Sequence, residues 1–221
     1  MPDHVWYASY GSNLLRERFM AYIQGGRAPG SSLEQIGCAD PTPPAQDHGI
    51  LILHPLFFAD SAPQWEDGGV AFVRAEKDEG AKTLGRMYLV SDEQFEDVVL
   101  QENGYRSLSV DLGMDLQKTV EDGTSQLRSG RYGTILHLGD QDGFPIFTFT
   151  APLTSVDPPL NAPGPRYLSV IARGLAETFG LSPQGILEYL RDVPGVRDRI
   201  SEGELTRIVG QTSPPFPSSM S

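Results

Sequence analysis

The order of apolar and polar positions at the start of the chain predicts a strand, a turn and a helix. Residues 5–9 are aromatic, apolar or small, as in a short buried strand. Helical spacing then places four large side chains on one face: Leu15, Phe19, Tyr22 and Ile23. Between these segments, Gly11 favours a tight backbone, and Ser12 or Asn13 is expected to cap the helix.

Apolar stretches farther along the chain predict six more strands. They cover residues 50–59, 65–76, 83–91, 105–112, 130–139 and 144–152. Pro55 indicates a bulge or an edge position inside the first of these stretches. The last two are expected to form a hairpin that turns at "DQDG". The polar segment 24–48 predicts a long surface connection, and 114–129 predicts no definite element.

Three more helices are predicted from their start and stop signals. One covers residues 91–104 and begins at the capping candidate Ser91. The next begins near Pro165 and stops at Gly180, because proline suits the first helical turn and glycine suits the position after the last. The third covers residues 182–193.

Length and charge limit the classes of protein to which the chain can belong. With 221 residues, 39% of them hydrophobic, we expect one domain over residues 1–210 and a disordered Pro- and Ser-rich tail over 211–221. The net charge of −12 argues against binding to nucleic acid or to a membrane surface. Cys38 is the single cysteine and no apolar run approaches the ~20 residues of a membrane span, so a cytoplasmic location is expected.

The middle helix is predicted to carry a carboxylate on its inward face. Helical steps from Phe95, Val98 and Val99 each arrive at Glu102. A carboxylate buried without a partner has a raised pKa, which suits it to proton transfer near neutral pH. The alternative is that Glu102 lies in a frayed last turn and reaches solvent.

Two further places are candidates for ligand binding. A helix that starts at Ser12 or Asn13 presents free N–H groups that favour a carboxylate or phosphate, unless those side chains only cap the helix. Tyr167 lies in the first turn of its helix, where its hydroxyl either faces a cavity or belongs to the core. The four histidines show no zinc-site spacing, so no metal is expected; they are His4, His48, His54 and His137.

Taken in order, four segments resemble the gamma-glutamylcyclotransferase family, which includes the AIG2-like proteins. They are "YASYGSNL", "WEDGGVAF", "LQENG" and "PGPRYLSVIARGLAETFGLS", and they extend over most of residues 5–192. The Y-G-S-N-L step is the most specific of them. The resemblance implies an α+β fold that contains a small mixed β-barrel flanked by helices.

The resemblance also implies a reaction without metal or cofactor. A small gamma-glutamyl amino acid or amine is cyclised to 5-oxoproline, and the free amino acid or amine is released. Glu102 takes the place of the catalytic general base and acid. The resemblance assigns substrate binding to six residues: Tyr7, Tyr10, Gly11, Ser12, Asn13 and Tyr167. Tyr105 receives no role, because "ENGYRS" is a shorter step to the next tyrosine than the family pattern leads us to expect.

Two other functions stay open at the level of sequence. One is an amide hydrolase or deacylase that uses water in the same pocket. The other is a non-catalytic module of the same fold that binds a small molecule, although the presence of both Glu102 and Tyr167 argues against it. The sequence also leaves open the identity of the leaving group and the oligomeric state.

Overall fold

A mixed β-sheet with helices packed around it forms the centre of the protein. The computed structural model describes residues 3–28, 33–153 and 158–211. The main sheet contains six strands, namely β1 (His4–Ser9), β4 (Gln46–Ile52), β7 (Thr83–Ser91), β8 (Thr124–Gln126), β9 (Thr134–Gln141) and β10 (Phe144–Thr150). Two short pairs lie outside it: β2 (Gly26–Arg27) with β3 (Glu34–Gln35), and β5 (Leu56–Ala62) with β6 (Gly68–Val73). The predicted α+β class is therefore confirmed.

Strand β1 lies inside the main sheet, whose order is β4-β7-β1-β10-β9-β8. It runs parallel to β10, with Trp6 opposite Ile146, and antiparallel to β7, with Tyr7 opposite Tyr88. Every residue of β1 after His4 is buried. A strand that is buried on both faces has a continuous run of apolar residues, and this run is the reason that β1 could be predicted from the sequence.

The main sheet is open, whereas the resemblance implies a small barrel. In the described part of the chain its edge strands β4 and β8 do not pair with each other. The β5–β6 pair approaches β10 through one side chain instead of through a ladder. Thr150 Oγ1 accepts from the Val73 amide at 3.1 Å and donates to the Val73 carbonyl at 2.6 Å.

Six helices complete the described fold. They are α1 (Arg16–Gln24), α2 (Asp92–Glu102), α3 (Leu116–Asp122), α4 (Pro165–Phe179), α5 (Pro183–Leu190) and α6 (Glu202–Gly210). The predicted cap of α2 is confirmed, because Ser91 and Gln94 form a reciprocal capping box. Helix α4 starts at Pro165 and is followed by Gly180 at φ 64°, as predicted.

The predicted strand over residues 50–59 is wrong, because two strands meet there. Strand β4 ends at Ile52 and β5 begins at Leu56. Pro55 lies in the break, where it has no N–H to donate to a ladder, and its carbonyl accepts from the Arg74 amide at 2.9 Å. A break takes the place of the bulge or edge that Pro55 suggested.

The predicted strand over residues 105–112 is also wrong, since this segment forms turns. Polar side chains satisfy backbone groups locally there: Ser107 Oγ accepts from the Ser109 amide, and Asp111 Oδ1 accepts from the Gly113 amide at 2.6 Å. Such local hydrogen bonds compete with a strand ladder.

The predicted hairpin between β9 and β10 is confirmed. Asp142 at φ 54° and Gly143 at φ 83° supply the left-handed turn that joins the two strands. Segment 24–48 contains β2, β3 and the first residues of β4 within the expected connection, and segment 114–129 contains α3 and β8. Helix α6 had not been predicted. The predicted tail lies outside the described residues from position 212 onward.

Candidate active site

The "YGSN" step after β1 forms a short 3₁₀ turn over Ser12–Leu14. The expected N-cap is wrong, because α1 begins at Arg16 after Leu15 and has no side-chain cap. Ser12 and Asn13 instead contact residues from elsewhere. Ser12 Oγ accepts from Arg18 Nε at 2.7 Å, and Asn13 Nδ2 donates to Glu102 Oε1 at the same distance. The dipole of α1 therefore does not start at this turn.

All seven site residues predicted from the sequence line one inner cavity of about 30 Å³; they are Tyr7, Tyr10, Gly11, Ser12, Asn13, Glu102 and Tyr167. The walls also include Ala71 from β6, Phe149 from β10 and Tyr132 from the loop before β9. The fold thus brings the end of β1, the end of α2 and the start of α4 to a single place.

Glu102 is the last residue of α2, and its side chain enters this cavity. Its carboxylate accepts hydrogen bonds from Asn13 Nδ2 and from the Tyr22 hydroxyl. Burial raises the pKa of Glu102, while the positive charge of Arg18 and these two hydrogen bonds oppose the rise. The carboxylate is therefore held in a fixed orientation and is partly desolvated. Both properties suit a group that acts as a general acid or base.

The end of α2 is held in place, which contradicts the frayed alternative. Asn103 Nδ2 donates to the Val99 carbonyl at 3.0 Å, and Asn103 Oδ1 accepts from the Tyr132 amide at 2.8 Å. One residue earlier, Gln101 Nε2 donates to the Tyr22 carbonyl at 3.0 Å. The last turn is thus bonded on both sides of Glu102.

Tyr7 and Tyr10 shape the floor of the cavity. The Tyr7 ring stacks on Phe149 at 5.2 Å between centroids, and its hydroxyl accepts from Asn13 Nδ2 at 3.3 Å. The Tyr10 hydroxyl donates to the Phe149 carbonyl at 2.5 Å. Burial raises the pKa of both phenols, so both are neutral at physiological pH.

Tyr167 lies in the first turn of α4 and lines the same cavity as Glu102. Its hydroxyl accepts from the Ala71 amide at 3.2 Å, and burial raises its pKa to about 12. The same hydroxyl lies beside Gly11, where a Cβ atom would be 2.9 Å from it. Gly11 has φ −112°, so the position needs glycine for this close approach and not for a left-handed backbone.

An outer pocket of about 80 Å³ continues from the inner cavity and shares four residues with it: Ser12, Glu102, Tyr132 and Tyr167. Arg18 and Trp65 form part of its wall, and the Arg18 guanidinium lies 4.8 Å from the centre of the Trp65 ring. The sequence interpretation assigned no site role to either residue, nor to Tyr22 or Tyr132. Arg18 lies three positions after Leu15 and four before Tyr22, which places a charged side chain on the apolar face of the helix. This position was the signal in the sequence that could have identified Arg18 as a site residue.

In the described ranges, no three residues among His, Cys, Asp and Glu come close enough together to hold a metal ion. The helices in those ranges are also all too short or too polar to cross a membrane.

The fold and the site define an α+β protein with a pocket around a partly buried glutamate. No family model matches the chain. Histone deacetylase 5 of Arabidopsis thaliana is 34% identical to it over 198 residues, which cover 84% of this chain and 30% of that protein. The chain thus spans about a third of the length of this curated relative.

Two solved structures are similar in their backbone. A gamma-glutamyl cyclotransferase has a TM-score of 0.47 and 18% identity, and the match covers 94% of this chain and 99% of that one. An uncharacterized protein from Homo sapiens has a TM-score of 0.44 and 19% identity over the same shares of the two chains.

Proposed function

We propose that the protein is a cyclotransferase that converts a gamma-glutamyl amino acid or amine to 5-oxoproline and the free amino acid or amine. The observation that carries the proposal is the 2.7 Å contact between Asn13 Nδ2 and Glu102 Oε1 inside a cavity lined by all seven predicted site residues. The resemblance of the "YGSNL", "LQENG" and "PGPRY" segments supports the same assignment.

The substrate of this reaction contains its own nucleophile. The α-amine attacks the γ-carbonyl carbon, a C–N bond forms that closes a five-membered ring, and the original amide C–N bond breaks. The enzyme has to fold the substrate and move protons, because the α-ammonium nitrogen loses two protons as it becomes the ring amide and the departing nitrogen gains two as it leaves. Proximity and a single acid–base group, together with solvent, accomplish this. The proposal accordingly needs no metal, no cofactor and no activated serine or cysteine.

Glu102 moves the proton that is transferred within the site. As a carboxylate it removes a proton from the α-ammonium, and as the acid it donates that proton to the departing nitrogen. Solvent takes up the second proton of the α-nitrogen when the ring closes and supplies the proton that turns the released amine into an ammonium. The raised pKa of Glu102 brings the two protonation states closer in free energy near neutral pH. Its bonds to Asn13 and Tyr22 keep the carboxylate oriented during both steps.

Asn13 positions the ammonium group next to this base. Its Oδ1 is buried and has no hydrogen-bond partner among the described residues. Because Nδ2 of the same amide donates to Glu102 and Tyr7, the orientation of the amide leaves Oδ1 as a free acceptor. A substrate ammonium supplies the missing donor there, and the backbone from Gly11 to Asn13 lines the cavity where the α-carboxylate or the developing oxyanion is held.

Product analysis tests the proposal. The purified protein is incubated with a panel of gamma-glutamyl amino acids and amines, and the products are identified by mass spectrometry. Release of 5-oxoproline supports cyclisation. Free glutamate would instead identify an amide hydrolase, a reaction type to which the name of the Arabidopsis relative also belongs. Binding of 5-oxoproline in a thermal-shift assay without turnover of any panel member would identify a non-catalytic module.

A further inference from the structure

The outer pocket has a local charge opposite to that of the whole chain. Three arginines line it, namely Arg18, Arg106 and Arg131, and Glu102 is the one carboxylate among the described residues of its wall. The chain as a whole has 29 acidic and 17 basic side chains. A positive pocket in an acidic protein attracts an anionic group to that place.

Two of these arginines form no ion pair with a carboxylate among the described residues, although the charge of Arg18 acts on Glu102 from a distance. Arg131 Nε pairs with Asp60 at 2.8 Å, so its charge is largely balanced. Arg106 donates to the backbone carbonyl of Glu34. Arg18 donates to two neutral hydroxyls, those of Ser12 at 2.7 Å and Tyr22 at 3.3 Å.

Arg18 also has one donor atom that is unused. The residue is 4% exposed, and its Nη1 is buried with no hydrogen-bond partner among the described residues. A buried donor without an acceptor costs free energy, more so when the group is charged. A ligand that brings an acceptor into the outer pocket removes that cost, and a carboxylate matches a guanidinium in both charge and geometry.

The position of Glu102 decides which part of the substrate reaches Arg18. Glu102 borders both the inner cavity and the outer pocket. With the α-amino end of the gamma-glutamyl group beside Asn13 in the inner cavity, the bond that breaks lies at Glu102 and the leaving group extends into the outer pocket.

We propose that Arg18 binds a carboxylate on the leaving group, so that the outer pocket selects gamma-glutamyl amino acids over gamma-glutamyl amines. This inference rests on the proposed cyclotransferase activity. Arg18 then determines specificity, in addition to holding Ser12 and Tyr22 in place. Trp65, against which the guanidinium packs, forms an apolar wall for the side chain of the leaving residue.

A matched pair of substrates tests this role: gamma-glutamyl-alanine and gamma-glutamyl-alanine amide, which differ in the carboxylate alone. For the wild-type protein we expect kcat/KM to be about 10- to 100-fold higher with the acid, the range of a hydrogen bond to a charged group. Arg18→Gln should bring this ratio close to one, and Arg18→Lys should give an intermediate ratio. Arg173→Gln is the control, because Arg173 is exposed and lies outside both pockets.

The outcomes separate the inference from the function on which it rests. Equal efficiency of the wild type on both substrates overturns the inference alone. It is also overturned if Arg18→Gln lowers both efficiencies by the same factor, because Arg18 would then act on the gamma-glutamyl group or on Glu102. If the gamma-glutamyl panel yields 5-oxoproline but neither of these two substrates does, the inference alone falls, and if no member of the panel does, the proposed function falls as well. Melting temperatures show whether Arg18→Gln is folded, and if it is not, Arg18→Lys and the wild-type ratio decide.

Discussion

The hydroxyl of Tyr167 lies so close to the backbone of Gly11 that a Cβ atom at position 11 would be 2.9 Å from its oxygen. This contact fixes the first turn of α4 against the turn after β1. Tyr167 has little freedom to retreat, because it is buried, its ring lies 4.9 Å from that of Trp65, and its hydroxyl accepts from the Ala71 amide. The substrate cavity thus depends on a residue without a side chain.

Replacement of Gly11 should therefore displace Tyr167. Gly11→Val is expected to lower stability by about 1–3 kcal/mol through overpacking and to reduce turnover, and Gly11→Ala should do the same to a smaller extent. Thermal melting and kcat/KM measure the two effects. The control is Gly203→Ala, because Gly203 has no atom within 4 Å of an added Cβ. A Gly11→Val protein with wild-type melting and turnover would show that the turn adapts without cost.

Tyr167→Phe should keep the fold but weaken both stability and substrate handling. The change leaves the buried Ala71 amide without its acceptor, which costs about 1–3 kcal/mol, and removes a hydroxyl from the cavity. Tyr105→Phe is the matched control, because its hydroxyl contacts Ser129 at the surface. If the two variants have the same melting temperature and the same KM and kcat, Tyr167 is a core residue with no part in the site.

Glu102→Gln should abolish most of the turnover. Glutamine keeps the shape and an oxygen that accepts from Asn13, but it exchanges no proton, so kcat is expected to fall about 100-fold or more. Glu96→Gln removes the same charge from an exposed position of the same helix and should retain wild-type activity. Wild-type turnover of a confirmed gamma-glutamyl substrate by Glu102→Gln would refute the mechanism and leave the family resemblance as a statement about fold.

The raised pKa of Glu102 also predicts a pH dependence of stability. Burial places the folded pKa above the unfolded value of about 4.3. Below the unfolded pKa both states hold the proton, so this group does not make the free energy of unfolding change with pH there. Between the two pKa values the folded state binds more protons, so stability falls as the pH rises through this window, and above the folded pKa the loss is complete.

Glu102→Gln should remove that part of the pH dependence. Its melting temperature is expected to equal that of the wild type at low pH and to exceed it increasingly as the pH rises toward neutrality. Thermal melts of both proteins from about pH 4 to about pH 8 measure the difference. A wild type that gains stability over Glu102→Gln with rising pH would mean that Arg18, Asn13 and Tyr22 outweigh the effect of burial.

Local signals in the sequence were sufficient for much of the secondary structure. The apolar run of β1, the cap at Ser91, the proline and glycine that bound α4, and the turn at Asp142 and Gly143 all act through neighbouring residues. The inward position of Glu102 follows from helical periodicity alone. These predictions were confirmed because hydrogen bonds and side-chain directions within one element depend on spacing along the chain.

Local signals failed where distant partners were available. Ser12 and Asn13 have the chemistry of capping residues, but Arg18 and Glu102 engage their side chains instead. The run over residues 50–59 has the composition of one strand, yet Pro55 divides it because its two halves pair with different strands, β7 and β6. A side chain that could form a local hydrogen bond forms one with a distant residue instead when the fold places a buried partner next to it.

The tertiary structure alone decided which groups meet at the site. Asn13 and Glu102 are 89 positions apart in the chain, and Ala71 and Tyr167 are 96 apart. These encounters depend on the order of strands in the sheet, which places β1 between β7 and β10 and so brings the end of α2 over the "YGSN" turn. Periodicity along the chain carries no information about that order. The sequence by itself therefore determined the elements and the candidate residues. Only the packing of those elements joined the residues into one cavity, and in the adjoining outer pocket it left Arg18 Nη1 buried without a hydrogen-bond partner in the described part of the chain.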